Sequence, residues 1–145
     1  MKKLFMLIVG MFAFINCLAC TSDNNKNEEK MEKILFVNGS PNRDGNTVTL
    51  AKVLLEGKQY ETLNLNDYRL NFYGQTLEGD QLNEVIAKMK QADIIVMGSP
   101  VYWHNICASV RTLMERCYGY LPEDTFKGKR FFLPLSGSCP NKDDD

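Results

Sequence analysis

Ile34 to Thr47, ILFVNGSPNRDGNT, is an apolar strand that breaks into a glycine- and hydroxyl-rich loop and then opens a helix. N–H groups in the first turn of a helix lack intrahelical partners and carry partial positive charge, so they attract phosphate. Gly39 and Gly45 let the main chain come close to an anion, and Ser40, Asn42, Asn46 and Thr47 offer side-chain donors around it. The loop is not a Walker A, because no Lys follows a GxxxxG, and it is not GxGxxG. What remains is a cradle for a single phosphate, suited to a mononucleotide. Taken alone, the same residues also describe an ordinary Ser/Asn/Gly turn that caps a helix.

Downstream, strand and helix patterns alternate. Val48, Ala51, Leu54 and Leu55 fall on one helical face of Thr47–Leu55, which Gly57 ends. Gln59–Leu65 alternates as a second strand, and 66–79, rich in Asn, Tyr and Gly, reads as a long loop. Asp80 is placed to cap a helix carrying Leu82, Val85, Ile86 and Met89 at i, i+3, i+4 and i+7. Asp93–Met97 is a third apolar strand, 98–105 a loop, and Ile106, Val110, Leu113, Met114 and Cys117 mark a third helix. Lys129–Leu135 is the fourth strand and 136–140 a terminal loop. This order predicts an α/β fold: a doubly wound parallel sheet with right-handed crossovers and helices on both faces, ending after its fourth strand. Such sheets bind ligands beyond the carboxyl ends of their strands, where the strand order reverses. Three loops reach that edge: 39–46, 98–105 and 136–140.

The second loop, GSPVYWHN, places the only Trp and the only His of the chain beside Tyr102. Large aromatics there can wall in a flat ring and offer backbone N–H groups to its polar edge, or simply plug the sheet end. Ser136 and Gly137 in the third loop can approach the same ring, although a plain turn explains them equally well.

These motifs carry a resemblance. GSPNRDGNT, then GSPVYWHN, a helix ASVRTLMER and GKRFFLPLSGS are together similar to the flavodoxin-like NAD(P)H-dependent FMN reductases and quinone reductases, over residues 33 to 140. The resemblance implies FMN as cofactor, with its phosphate at Ser40, Asn42, Asn46 and Thr47. It implies ring contacts from Pro100, Val101, Tyr102, Trp103 and His104, helped by Ser136 and Gly137. The implied activity is oxidation of NAD(P)H through the flavin, with reduction of a quinone, a nitro or azo compound, or a second flavin. His104 is the candidate proton or hydrogen-bond donor at the ring, against a purely structural role. A homodimer is also implied. Rival readings are a flavodoxin-like electron carrier, against which a weak net charge argues, and a non-catalytic remnant of the fold.

Two departures from the family's pattern stand out. Members often continue through a further helix, strand and helix, whereas this chain ends in NKDDD; Pro134 within the fourth strand suits a sheet edge. Some relatives carry a cysteine motif for an iron–sulfur cluster after the second strand, and 67–79 here holds no Cys, so no cluster and no other metal site is expected.

Composition bounds the rest. The 145 residues allow one domain, and 17 basic against 18 acidic residues offer no basic patch for nucleic acid. Lys2 and Lys3 precede an uncharged, mostly apolar run over 4–19, whose 16 residues are short for a membrane span of about 20. That reads as a signal peptide, with a short anchor helix as the alternative. CLAC at 17–20 resembles a bacterial lipoprotein signal with Cys20 lipidated, although Cys17 stands where a branched apolar residue is expected. Residues 20–32 then form a disordered tether, and 33–145 the folded domain. The expected location is the cell envelope, lipid-anchored on the periplasmic side, or the cytoplasm if the leader reading fails. Of the other cysteines, Cys107, Cys117 and Cys139 show no metal spacing and suit core filling better than a disulfide.

Overall fold

A computed structural model of the chain describes residues 31–118 and 121–137. The expectations for the leader, for Cys20 and the tether as far as residue 30, and for the loop beyond Gly137 lie outside the described residues.

Strand β1 (Ile34–Asn38) is the central strand, and its side chains sort by parity. Leu35 and Val37 enter a large cluster with Val85, Ile86 and Met89 of helix α2 (Leu82–Gln91) and Val110 and Leu113 of helix α3 (Ala108–Cys117). Phe36 faces the other way, against Ala51 of helix α1 (Asn46–Leu54) and neighbouring Leu55. A strand buried on both faces needs an unbroken apolar run, and ILFV supplies it here, as IIVM does in strand β3 (Ile94–Tyr102). Strand β2 (Tyr60–Asn64) pairs in parallel with one edge of β1, and β3 pairs in parallel with β1 as well. Beyond β3 run the short strands β5 (Arg130–Phe132) and β6 (Leu135–Ser136), both parallel to it. The chain therefore leaves β1 in one direction for β2 and returns to its other side for β3. That reversal opens the carboxyl ends of β1 and β3 to a ligand.

The structure corrects several sequence expectations. The residues expected as a loop, 98–105, instead extend β3 to Tyr102, turn, and pair back antiparallel through β4 (Asn105–Ile106). Tyr102 faces Asn105 in that pairing, and Trp103 (φ 48°) and His104 (φ 61°) are the two left-handed central residues, the pattern of a type I′ hairpin turn. Ile106 thus belongs to β4 rather than α3.

The expected fourth strand is two, because Pro134 lies between β5 and β6, where it has no N–H to give the ladder. Its carbonyl still accepts the Ser99 N–H at 3.1 Å, so β3 stays bonded across the gap. Asp80 does not occupy the capping position of α2, which falls to Gln81 without a side-chain bond. On α1 and α3 the apolar faces are rotated from expectation: Leu54 and Met114 are exposed, whereas Thr47, Thr112 and Arg116 are buried.

Candidate functional site

Asn38 closes β1 as a fully buried amide, and from it the first loop is tied together by its own side chains. Asn38 Oδ1 accepts the Ser40 N–H at 3.0 Å, Ser40 Oγ accepts the Asn42 N–H at 3.1 Å, and Asn42 Oδ1 accepts the Asp44 N–H at 2.9 Å. Short polar side chains that bond main chain two residues on hold such a turn open without helix or strand ladders. Asn38 Nδ2 also donates to Asn64 Oδ1, its parallel neighbour in β2. Ser40 and Asn42 are therefore acceptors within the loop, with the Ser40 hydroxyl hydrogen and the Asn42 amide hydrogens still available to a ligand.

The loop ends at α1, whose cap, Gly45, makes no side-chain bond. The N–H groups of Asn46 and Thr47 in its first turn meet no acceptor among the described residues, and no acidic side chain lies in that turn. An anion fits this end on both counts. Thr47 is buried, and its hydroxyl lies 2.6 Å from Ser136 Oγ, which joins the start of α1 to the end of β6 across 89 positions of sequence; Ser136, expected in a terminal loop, is a strand residue. Ser136 pairs with Pro100, and a Cβ added to Gly137 would lie 3.3 Å from Val101 Cβ. Thr47, Pro100, Val101, Ser136 and Gly137 are thus brought to one place at the sheet edge.

The aromatic part of the second loop is placed differently. Trp103 is 96% exposed at the hairpin tip, with Tyr102 and His104 exposed beside it. The hairpin leaves these rings exposed rather than packed into the core.

Beneath the first loop, Gly39 is what lets the elements close. Its N–H donates to Gly98 O at 2.9 Å, and its carbonyl accepts from Ser109 Oγ at 2.8 Å and Asn66 Nδ2 at 3.3 Å. A Cβ on it would come 2.3 Å from Val110 Cγ2 and 2.9 Å from Cys107 Sγ. Its role as seen here is packing against α3. Sequence reading also passed over Arg43, whose guanidinium meets the Asp67 carboxylate at 2.5 Å, and Ser99, fully buried, whose Oγ accepts the Cys107 N–H at 2.9 Å. The available signal was a polar residue in an otherwise apolar strand, as Asn38 is at the end of β1 and Ser99 within β3.

A long loop from Asn66 to Gln81 is anchored from α3. Arg116 donates to Asn71 O at 2.9 Å and to the Asp80 carboxylate at 2.6 Å. Burial alone would raise the Asp80 pKa. The hydrogen bond and charge of Arg116, with the N–H groups of Asn71 and Leu82, outweigh it and hold the carboxyl below its ordinary value. Burial pushes the Cys117 thiol up, against the nearby Arg116 charge.

A parallel sheet with its order reversed at β1, and a phosphate-competent helix start that meets β6 at that sheet's edge, define a flavodoxin-like fold. The model of the NADPH-dependent FMN reductase family matches residues 32–140, and the chain belongs to that family. An iron–sulfur flavoprotein of Methanocaldococcus jannaschii is 37% identical over 98 residues, covering 58% of this chain and 51% of that protein. One from Archaeoglobus fulgidus is 34% identical over 97 residues, covering 58% and 48%. The chain spans about half the length of these two curated relatives. A solved flavone reductase superposes with a TM-score of 0.61 at 18% identity, covering 72% of this chain and 43% of that one, which shows the shared fold.

The cluster named in those relatives finds no ligand set here among the described residues. No group of three or more His, Cys, Asp or Glu is placed to hold a metal ion, and the free cysteines Cys107 and Cys117 are buried and half-buried.

Proposed function

We propose that this protein is an FMN-dependent oxidoreductase that takes electrons from a reduced nicotinamide and delivers them to a small organic acceptor, a quinone, a nitro or azo compound, or a second flavin. The observation that carries this reading is the meeting of α1 and β6 at Thr47 and Ser136, at a helix start whose first N–H groups lack acceptors. Ser40, Asn42, Asn46 and Thr47 would hold the phosphate of FMN, and Pro100, Val101, Ser136 and Gly137 would border its ring. Tyr102, Trp103 and His104 would cover the ring from the hairpin, with backbone N–H groups at its electron-rich edge and His104 holding or delivering a proton there. When bound, FMN supplies the hydride and single-electron chemistry that side chains lack.

The test is flavin content. Protein loaded with FMN and freed of excess should be yellow and oxidise NADH or NADPH when menadione or an azo dye is present. Replacing Ser40 and Thr47 together by Glu should weaken FMN retention at least about a hundredfold, since acidic side chains repel a dianion at a helix start. Unchanged retention in that variant refutes the phosphate assignment.

The remaining parts of the reading concern location and assembly. The mature protein is anchored to the cell envelope by lipid on Cys20 and works as a homodimer. Cys20→Ala should move the protein from the membrane fraction to the soluble fraction. Retention of the variant in the membrane fraction rules out a lipid on Cys20. Sedimentation equilibrium reports the dimer.

A further inference from the structure

Two adjacent side chains tie the short turn at Leu65–Asp67, just past β2, to the first loop. Asn66 Nδ2 donates to the Gly39 carbonyl at 3.3 Å, where the loop leaves β1, and the Asp67 carboxylate accepts from Arg43 at 2.5 Å, two residues before the Gly45 cap of α1. The two ties differ in kind. Gly39 is fixed by packing against α3, whereas the Arg43–Asp67 pair stands in water, with 65% and 46% of the two side chains exposed. Such pairs are weak, because solvent screens them and two long side chains give up freedom to meet.

Arg43 is the only Lys or Arg between Lys33 and Lys52, so it is the one full positive charge the phosphate loop owns. Two residues of chain span at most about 7 Å, and an extended arginine side chain is about as long. From one backbone position the guanidinium therefore commands both Asp67 and the start of α1. With Asp44 beside it, Arg43 and Asp67 sum to one positive and two negative charges, a poor setting for an anion while the pair is closed. A phosphate monoester changes the competition. It carries about two negative charges against one on the carboxylate, presents oxygens that match the guanidinium fork, and sits where the first N–H groups of the helix already favour an anion.

We propose that Arg43 is a specificity residue for a phosphorylated flavin and that Asp67 is its built-in competitor. The guanidinium leaves the Asp67 carboxylate for the phosphate when the nucleotide binds, and returns to it on release. Asp67 thereby sets how tightly the phosphorylated form is held, whereas an uncharged flavin gains nothing from either residue. The inference rests on the assignment of the FMN phosphate to the start of α1.

The test compares FMN with riboflavin, each titrated into the full chain freed of flavin and followed by the change in flavin fluorescence. Arg43→Gln should weaken FMN binding about tenfold, the usual scale for losing a charge-assisted hydrogen bond. Asp67→Asn keeps the size of the side chain, removes the competing charge and should strengthen FMN binding about threefold. The variant with both changes should match Arg43→Gln, because Asp67 acts only through Arg43. Riboflavin affinity should stay at the parent value throughout. A purely structural tie would instead weaken both flavins in both single variants. That result overturns the proposal, as does FMN affinity unmoved in Arg43→Gln, or unmoved or lowered in Asp67→Asn, while the parent still prefers FMN. A parent that holds riboflavin as tightly as FMN would overturn the phosphate assignment itself, and this inference with it.

Discussion

Gly39 shows how one residue type serves a purpose that its neighbours in sequence do not advertise. In the motif GSPNRDGNT it reads as a glycine that lets an anion approach. In the fold it is the point at which β1, β3 and α3 come within contact distance, with no room for a methyl group between Val110, Cys107 and the Gly98 carbonyl. Gly39→Ala should therefore destabilise the protein by about 1–3 kcal/mol, the usual cost of forcing extra volume into a packed site. Urea unfolding measures it, and a loss below about 0.5 kcal/mol would show that α3 can shift away. Trp103 and His104 make the same point at the hairpin tip. Both sit at positive φ, where bulky side chains are strained, and such strain persists only where the surroundings impose it. Nothing in VYWHN announces a type I′ turn, since the usual Asn-Gly or Asp-Gly signal is absent.

Among the elements, the clearest are those whose periodicity is set by burial. The four apolar positions of α2 are all in the core, and β1 reads as the doubly covered strand it is. The length of β3 was hidden because Gly98, Ser99 and Pro100 look like loop residues. Gly98 is there for a close approach instead, as a Cβ would lie 2.8 Å from both the Phe36 ring and Thr47 Cγ2. Helix α3 was harder still. A buried Arg on its inner face is intelligible only once Asp80, 36 residues earlier, is seen to meet it.

Removing Asp80 would take an ion-pair partner from a buried guanidinium, so Asp80→Ala should cost about 3 kcal/mol near neutral pH. The lowered pKa gives the pH dependence its sign. The carboxylate's contribution is complete above its ordinary value of 3.8 and is lost as pH falls through the lower folded value. Parent and variant should thus converge in stability below about pH 3.8, as followed by thermal melts across the acid range.

At the scale of the whole molecule, the site is a product of topology. Thr47 and Ser136 lie 89 residues apart and meet because both β1 and β6 end at the same edge of one sheet. If FMN binds where these loops converge, it ties three separate segments of the native state together and has no such site in the unfolded chain. Free FMN at 100 times its dissociation constant should then stabilise the protein by about 2.7 kcal/mol, with a concentration-dependent rise in melting temperature. A melting temperature that ignores FMN would contradict the assigned site.

What the amino-acid order determined by itself was the alternation of strands and helices, the doubly wound class and the first loop, 39–45, between β1 and α1. These follow from short-range rules, the apolar runs and periodicities that burial on one or two faces demands. Only the tertiary structure decided that β3 runs on through a glycine and a proline, that Pro134 splits the last strand, and that the α3 face under the 66–81 loop is polar. Those outcomes depend on partners distant in sequence, Phe36 against Gly98, Ser99 against Pro134, Asp80 against Arg116, and no local pattern encodes a neighbour that arrives only on folding.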